Sequence, residues 1–229
     1  MAGPSALLHL LWLASPALPV GAFSYSEGLE AAVDDGAVHD EASARDWLLN
    51  QLTLVLARSE LPVMARAFAA ARAGDDDRLR ALNDWVLATR EAAEPLAQTQ
   101  QMGRSLVAWI ESLQGESPAP CPTLPLLRAL KPAPTWPVVL ACAAAWRGAA
   151  LEDSLRAAAF GWAENLVQAA VRAVSFGQSA GQRLLARLVQ AIPGAVESAL
   201  AADEPIAFAP RLAIASARHE TQYSRLFRS

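Results

Sequence analysis

His219 and Glu220 begin like H-E-x-x-H, a helical motif in which two histidines one turn apart bind a metal and the glutamate serves as a base. Tyr223 stands where the second histidine must be. His9 and His39 are far away in the chain with no cysteine beside them, so a three-histidine site would have to be assembled by folding. Gly177 and Gly181 lie one turn apart, but no Gly-Lys-Ser/Thr follows to cradle a phosphate. Ser24 and Ser26 do not sit in a G-x-S-x-G elbow. Cys121 and Cys142 are the only cysteines. They fit neither a disulfide framework nor a zinc pattern, and a reducing cytoplasm is the simpler setting. No nucleophile comes with its base. On residues alone an all-α interaction protein, with no cofactor and no metal, outranks an enzyme.

The side chains that do suggest a role are those of an interface. The final stretch, RLAIASARHETQYSRLFRS, interleaves Tyr223, Leu226 and Phe227 with Arg218, Arg225 and Arg228. Aromatics among arginines are the composition of a binding hot spot. The plainer alternative is that Leu226 and Phe227 dock the tail on its own chain. Basic charge is nearly all arginine, Lys131 being the one lysine, and arginine suits defined carboxylate contacts. The net charge of −4 argues against a general attraction to nucleic acid or to an anionic membrane.

The elements that would position these residues are helices. Of the 229 residues 53% are hydrophobic, many of them alanine, which favours closely packed helices. The expectation is one all-α domain of about eight to ten helices over residues 1–229, with 211–229 as a tail. Ser5 can cap a first helix reaching Ala14. Residues 6–14 resemble the core of a signal peptide, but no Lys or Arg precedes them. No run approaches the length of about 20 apolar residues that spans a bilayer.

WLASPALPVGAFSYSEGLE, at 12–30, then breaks the pattern. Pro16 and Pro19 fix the backbone, Gly21 frees it, and Phe23 and Tyr25 mark the corner. Ser24 and Glu27 fit a capping box, S-x-x-E, for a helix to about residue 35, with Gly36 as its stop. Glu30 would then lie late in that helix. A negative charge there gains nothing from the dipole, so its presence points to a partner contact if it is exposed.

Further along, Asp40 opens a third helix, Pro62 restarts the chain, and residues 64–73 form a fourth helix ending at Gly74. Asp75, Asp76 and Asp77 begin the next, on which Arg90 and Glu94 can pair on the surface. Pro95 kinks or restarts it. Gly103 permits close approach of a neighbour. Residues 115–125 read as a loop. Thr135 caps a helix to about 146, and 152–174 is the longest helical pattern. There Arg172 lies near a helix end, where the dipole favours it. Ser175 and Gln178 make a second capping box, S-x-x-Q. Gly177 and Gly181, beside Gln178 and Gln182, suit close helix packing, and the amides need partners if buried.

Four segments, taken together, carry a specific resemblance. They are LASPALPVGAFSYSEGLE, TREAAEPLAQTQQMG, AVSFGQSAGQRLL and ASARHETQYSRLFRS. With them the chain resembles the urease accessory protein UreF family across nearly its whole length. The resemblance implies a single all-α domain that dimerises. It also implies binding to a second accessory protein (D or H), to the nickel-carrying GTPase UreG and to urease apoprotein. Its implied role is non-catalytic: it regulates GTP hydrolysis by its partner during nickel insertion. Carried over by motif, the interface candidates are Glu30, Arg172 and the tail, Arg218, His219, Glu220, Tyr223, Arg225, Leu226, Phe227 and Arg228, with Phe23 and Tyr25 at the corner. Pro19, Gly21, Ser24, Glu27, Gly177, Gln178, Gly181 and Gln182 read as structural. A metallochaperone that holds nickel directly is the first rival reading. A hydrolase with a site assembled from distant residues is the second.

Overall fold

Apolar positions recur every three to four residues through most of the chain, and the chain answers with helices. A computed structural model describes residues 4–116, 119–223 and 225–228. Among the described residues there are eleven α-helices and no strand. In order they are α1 (Pro4–Leu13), α2 (Leu29–Asp34), α3 (Glu41–Asn50), α4 (Glu60–Ala73), α5 (Asp76–Ala88), α6 (Ala93–Ser112), α7 (Leu124–Ala129), α8 (Trp136–Trp146), α9 (Leu151–Val174), α10 (Gln178–Ala201) and α11 (Pro210–His219). The all-α expectation holds. Eleven is consistent with the expected eight to ten, since α2 and α7 are short, six-residue helices between breaks. The side chain of Ser5, the expected first cap, lies outside the described residues, as do Pro118 in the loop and Ser224 and Ser229 in the tail.

The core is alanine-rich, as the composition foretold. Helix α8 is buried from Pro137 through Ala145 and packs against α4 and α6, while α9 and α10 pack along each other. Buried apolar residues form one continuous cluster from Leu10 to Phe227. Two glycines set its spacing. A side chain at Gly103 would meet the carbonyl oxygen of Pro134 at 2.2 Å, so α6 presses on the segment entering α8. One at Gly181 would meet Val171 at 2.7 Å, so α10 lies close against α9 there. Gly177 has nothing within 4 Å, and Gln178 and Gln182 are exposed, so their amides are solvated. Helix α10 is long and apolar enough to cross a membrane by length and composition. It is amphipathic, with Leu184, Leu188, Ile192 and Val196 buried and Arg183 and Arg187 exposed.

Many helix boundaries fall where the turn residues put them. Asp40 caps α3 through a reciprocal bond with Ser43, and the Asp75 carboxylate accepts from the Arg78 amide. Gly36 and Gly74 adopt positive φ behind α2 and α4. Pro95 is the third residue of α6, where its missing N–H costs nothing.

Neither expected capping box forms. Ser24 ends a short 3-10 turn, Ala22–Ser24, and α2 starts later, behind Gly28 at φ 77° with no side-chain cap. Ser175 is the left-handed C-cap of α9 (φ 60°), and Gly177 precedes α10 with no capping side chain. In the first case stronger partners take the glutamate. Glu27 (φ 51°) turns inward and accepts from Trp162 Nε1 at 2.8 Å and Gln98 Nε2 at 3.0 Å.

Candidate functional site

The backbone turn at Glu27 and Gly28 lets α11 lie against the opening segment. A side chain at Gly28 would meet Leu212 at 3.0 Å and Ala215 at 3.3 Å. Helix α11 thereby delivers its last residue, His219, between α2 and α6. The ring is fully buried, with Nδ1 2.7 Å from Glu94 Oε2 and Nε2 3.1 Å from Glu30 Oε2.

Glu30 is the second residue of α2, not a late one, and it is buried. It sits where the positive end of the helix dipole favours a carboxylate. Besides His219 it accepts the backbone N–H groups of Leu226, at 2.6 Å to Oε1, and of Phe227, at 2.9 Å to Oε2. Glu94 is shared in the same way, because Arg225 Nη1 donates to its Oε1 at 2.8 Å. Neither end of the expected Arg90–Glu94 pair holds. Helix α5 ends at Ala88 and α6 begins at Ala93, so Arg90 pairs with Glu60 instead.

The tail also finishes a helix that cannot cap itself. Ala92 precedes α6 and has no side-chain acceptor. Glu220 reaches across, and its Oε1 accepts from the Ala93 amide at 2.8 Å and the Glu94 amide at 3.4 Å. Past the cluster, the Arg228 amide donates to the Ser24 carbonyl at 2.7 Å. Its guanidinium donates to Gln101 Oε1 at 3.2 Å, an oxygen that also accepts from the Tyr25 hydroxyl at 2.7 Å. Phe227 is buried, with the Arg172 guanidinium 5.6 Å from its ring centre. Arg218 lies 3.5 Å from Asp35.

The candidates therefore divide. Tyr25, Glu30, His219 and Phe227 are buried within this chain. Tyr223, at 105% relative exposure, Leu226 at 72% and Phe23 at 59% face solvent, as does Arg172. Sequence reasoning gave Glu94 only a surface pairing with Arg90 and passed over Gln101 and Gly28; all three complete the dock. Their partners lie 125, 127 and 184 or more positions away, so no local spacing could reveal them.

Beside this cluster lies a cavity of about 170 Å³ between the opening segment, α4, α6, α8 and α9. Its charged lining residues are Glu27, Glu60 and Arg90. Burial pushes the Glu27 carboxyl above its usual range; the Trp162 hydrogen bond opposes this, and the Glu60 charge adds to it. Elsewhere, burial pushes the Cys142 thiol up to about 12, which removes it as a nucleophile at neutral pH. Among the described residues no three of His, Cys, Asp and Glu are grouped to hold a metal ion.

Comparison with known proteins adds what geometry cannot. The family model described as UreF matches residues 38–189. A urease accessory protein UreF from Methylibium petroleiphilum is 60% identical over 229 residues, covering 99% of this chain and 95% of the relative. The chain belongs to the UreF family. A second relative with that description, from Paracidovorax citrulli, is 58% identical over 227 residues, covering 98% of this chain and 90% of its own. A bifunctional urease accessory protein UreEF from Bordetella bronchiseptica is 48% identical over 228 residues, covering 97% of this chain and 52% of the fusion. The opening motif and the tail both lie outside the family-model match, yet both fall within the near-complete alignments to these relatives of this UreF-family chain.

Proposed function

We propose that this UreF-family chain is a non-catalytic scaffold in urease maturation. In this reading it is one all-α unit, dimeric and cytoplasmic, whose tail recruits the D/H accessory protein. The assembly then engages the GTPase UreG and urease apoprotein, and governs GTP hydrolysis during nickel insertion. The observation that carries the reading is the division of the tail. Glu30 and Glu94 hold its backbone and His219 inside, while Tyr223 and Leu226 stay in solvent. A buried cluster of this kind fixes the shape of a surface it does not itself form, and exposed aromatic and apolar side chains among arginines suit a partner. Arg172, beside Phe227, extends the same face. Glu30 then acts as a positioning residue.

The test is a pull-down with the D/H protein and UreG, using a Tyr223→Ala/Leu226→Ala double variant. The variant should keep its helicity and melting temperature and lose retention of the D/H protein. Full retention, with unchanged urease activation, removes the tail from recruitment. Equilibrium dialysis with Ni²⁺ separates the rival metallochaperone: a tight stoichiometric site on the isolated chain favours it.

A further inference from the structure

The cavity beside the tail holds more acid than base. Glu27 and Glu60 face one arginine, Arg90, and Arg90 engages only one oxygen of Glu60. Glu60 Oε2 is buried and has no hydrogen-bond partner. A buried acceptor without a donor is costly, and so is an anion without a matching cation. The rest of the wall is largely apolar or aromatic, with Met102, Leu140, Trp136 and Trp162 prominent, and carries uncharged polar side chains such as Gln51, Gln98 and Asn165. Its exposed lining residues are Pro16 and Phe23, which places the mouth at the corner of the opening segment. At about 170 Å³ the space falls below the roughly 300–1,000 Å³ of small-molecule and cofactor sites, and suits a single long side chain.

From this geometry we infer that the cavity is a receptor for one arginine side chain presented by a partner protein. An arginine has the chemistry the walls ask for. Its aliphatic stem passes Phe23 and Pro16, its planar head stacks on tryptophan, and its five N–H donors reach Glu60 Oε2 and the remaining lone pairs of Glu27. Its charge balances the unmatched acid. The occupant is assigned to a protein because the mouth opens beside Phe23, next to the docked tail. The inference rests on the scaffold reading only for where the arginine comes from.

The experiment uses the full chain and the indole ¹⁵N–¹H signal of Trp162, whose Nε1 donates to Glu27. The probe is N-acetyl-arginine amide, and the control is its neutral isostere N-acetyl-citrulline amide. The expected result is a saturable shift with the arginine probe and at least about tenfold weaker binding of citrulline, since only the former brings a positive charge to the carboxylates. Glu60→Gln and Glu27→Gln should each weaken the arginine probe by a similar factor, with circular dichroism unchanged. Equal binding of the two probes, or no shift of Trp162, overturns the inference on the unaltered chain even where a variant misfolds. Free L-arginine binding more tightly than the blocked form overturns it in favour of a metabolite site. None of these results depends on the outcome of the tail pull-down.

Discussion

Glu30 and His219 lie 189 positions apart and meet at 3.1 Å in a buried contact that also holds two backbone amides of the tail. Removing one partner of such a pair leaves the other charged or polar groups without a match. Glu30→Ala should therefore cost about 3–5 kcal/mol. Urea denaturation measures the loss, and amide exchange over 218–228 should rise with it. A surface role for Glu30 alone would leave both unchanged. Glu30→Gln should fall between, because it keeps the shape but loses the charge.

Ser24 and Asp40 are both expected N-caps, and only Asp40 forms one. The Ser24 contact to the tail uses its backbone carbonyl, which any residue supplies. Ser24→Ala should stay within about 0.5 kcal/mol of the parent. Asp40→Ala should give the larger drop in melting temperature, since it removes a reciprocal cap. The reverse order would restore the capping box at residue 24.

Gly28 and Gly36 share a left-handed backbone but not surroundings. Gly36 has open space where a Cβ would stand, while at Gly28 that atom would press on Leu212 and Ala215. Alanine at Gly36 carries the backbone strain alone, about 1–2 kcal/mol. Alanine at Gly28 carries that strain and pushes α11 away. Thermal melts should rank Gly28→Ala as the more damaging. Exchange at α11 should rise only in that variant.

Glu27 gives the stability of the chain a definite slope with pH. Its folded carboxyl is raised from 4.5, with burial the leading cause. Between that value and the raised one the folded state binds more protons than the unfolded state, so stability falls as pH rises through this window. Glu27→Gln removes that titration and should flatten the slope in urea melts taken from pH 4 upward. It also lowers absolute stability, because an amide replaces one of the two acceptor oxygens facing Trp162 and Gln98. An unchanged slope would place the titration elsewhere.

The sequence by itself determined the helical class, because a repeat of three to four apolar residues is local and leaves little choice. Asp40, Gly36, Gly74 and Pro95 marked their boundaries for the same reason: each acts on the backbone within a few residues. The four quoted segments also carried the family, which the relatives bear out. What only the tertiary structure decided is which candidates face inward. S-x-x-E at Ser24 and S-x-x-Q at Ser175 satisfy a local rule that better partners or a left-handed turn override. Glu30 reads as a late helix residue when its helix is started too early, and is the buried second residue once Gly28 starts it four residues after Ser24. His219 reads as a broken metal motif, yet it bridges Glu30 and Glu94 from opposite sides. Pairings of this range form only when α2, α6 and α11 pack together. A chain records the residue types that such packing needs, but it does not record the distances between them.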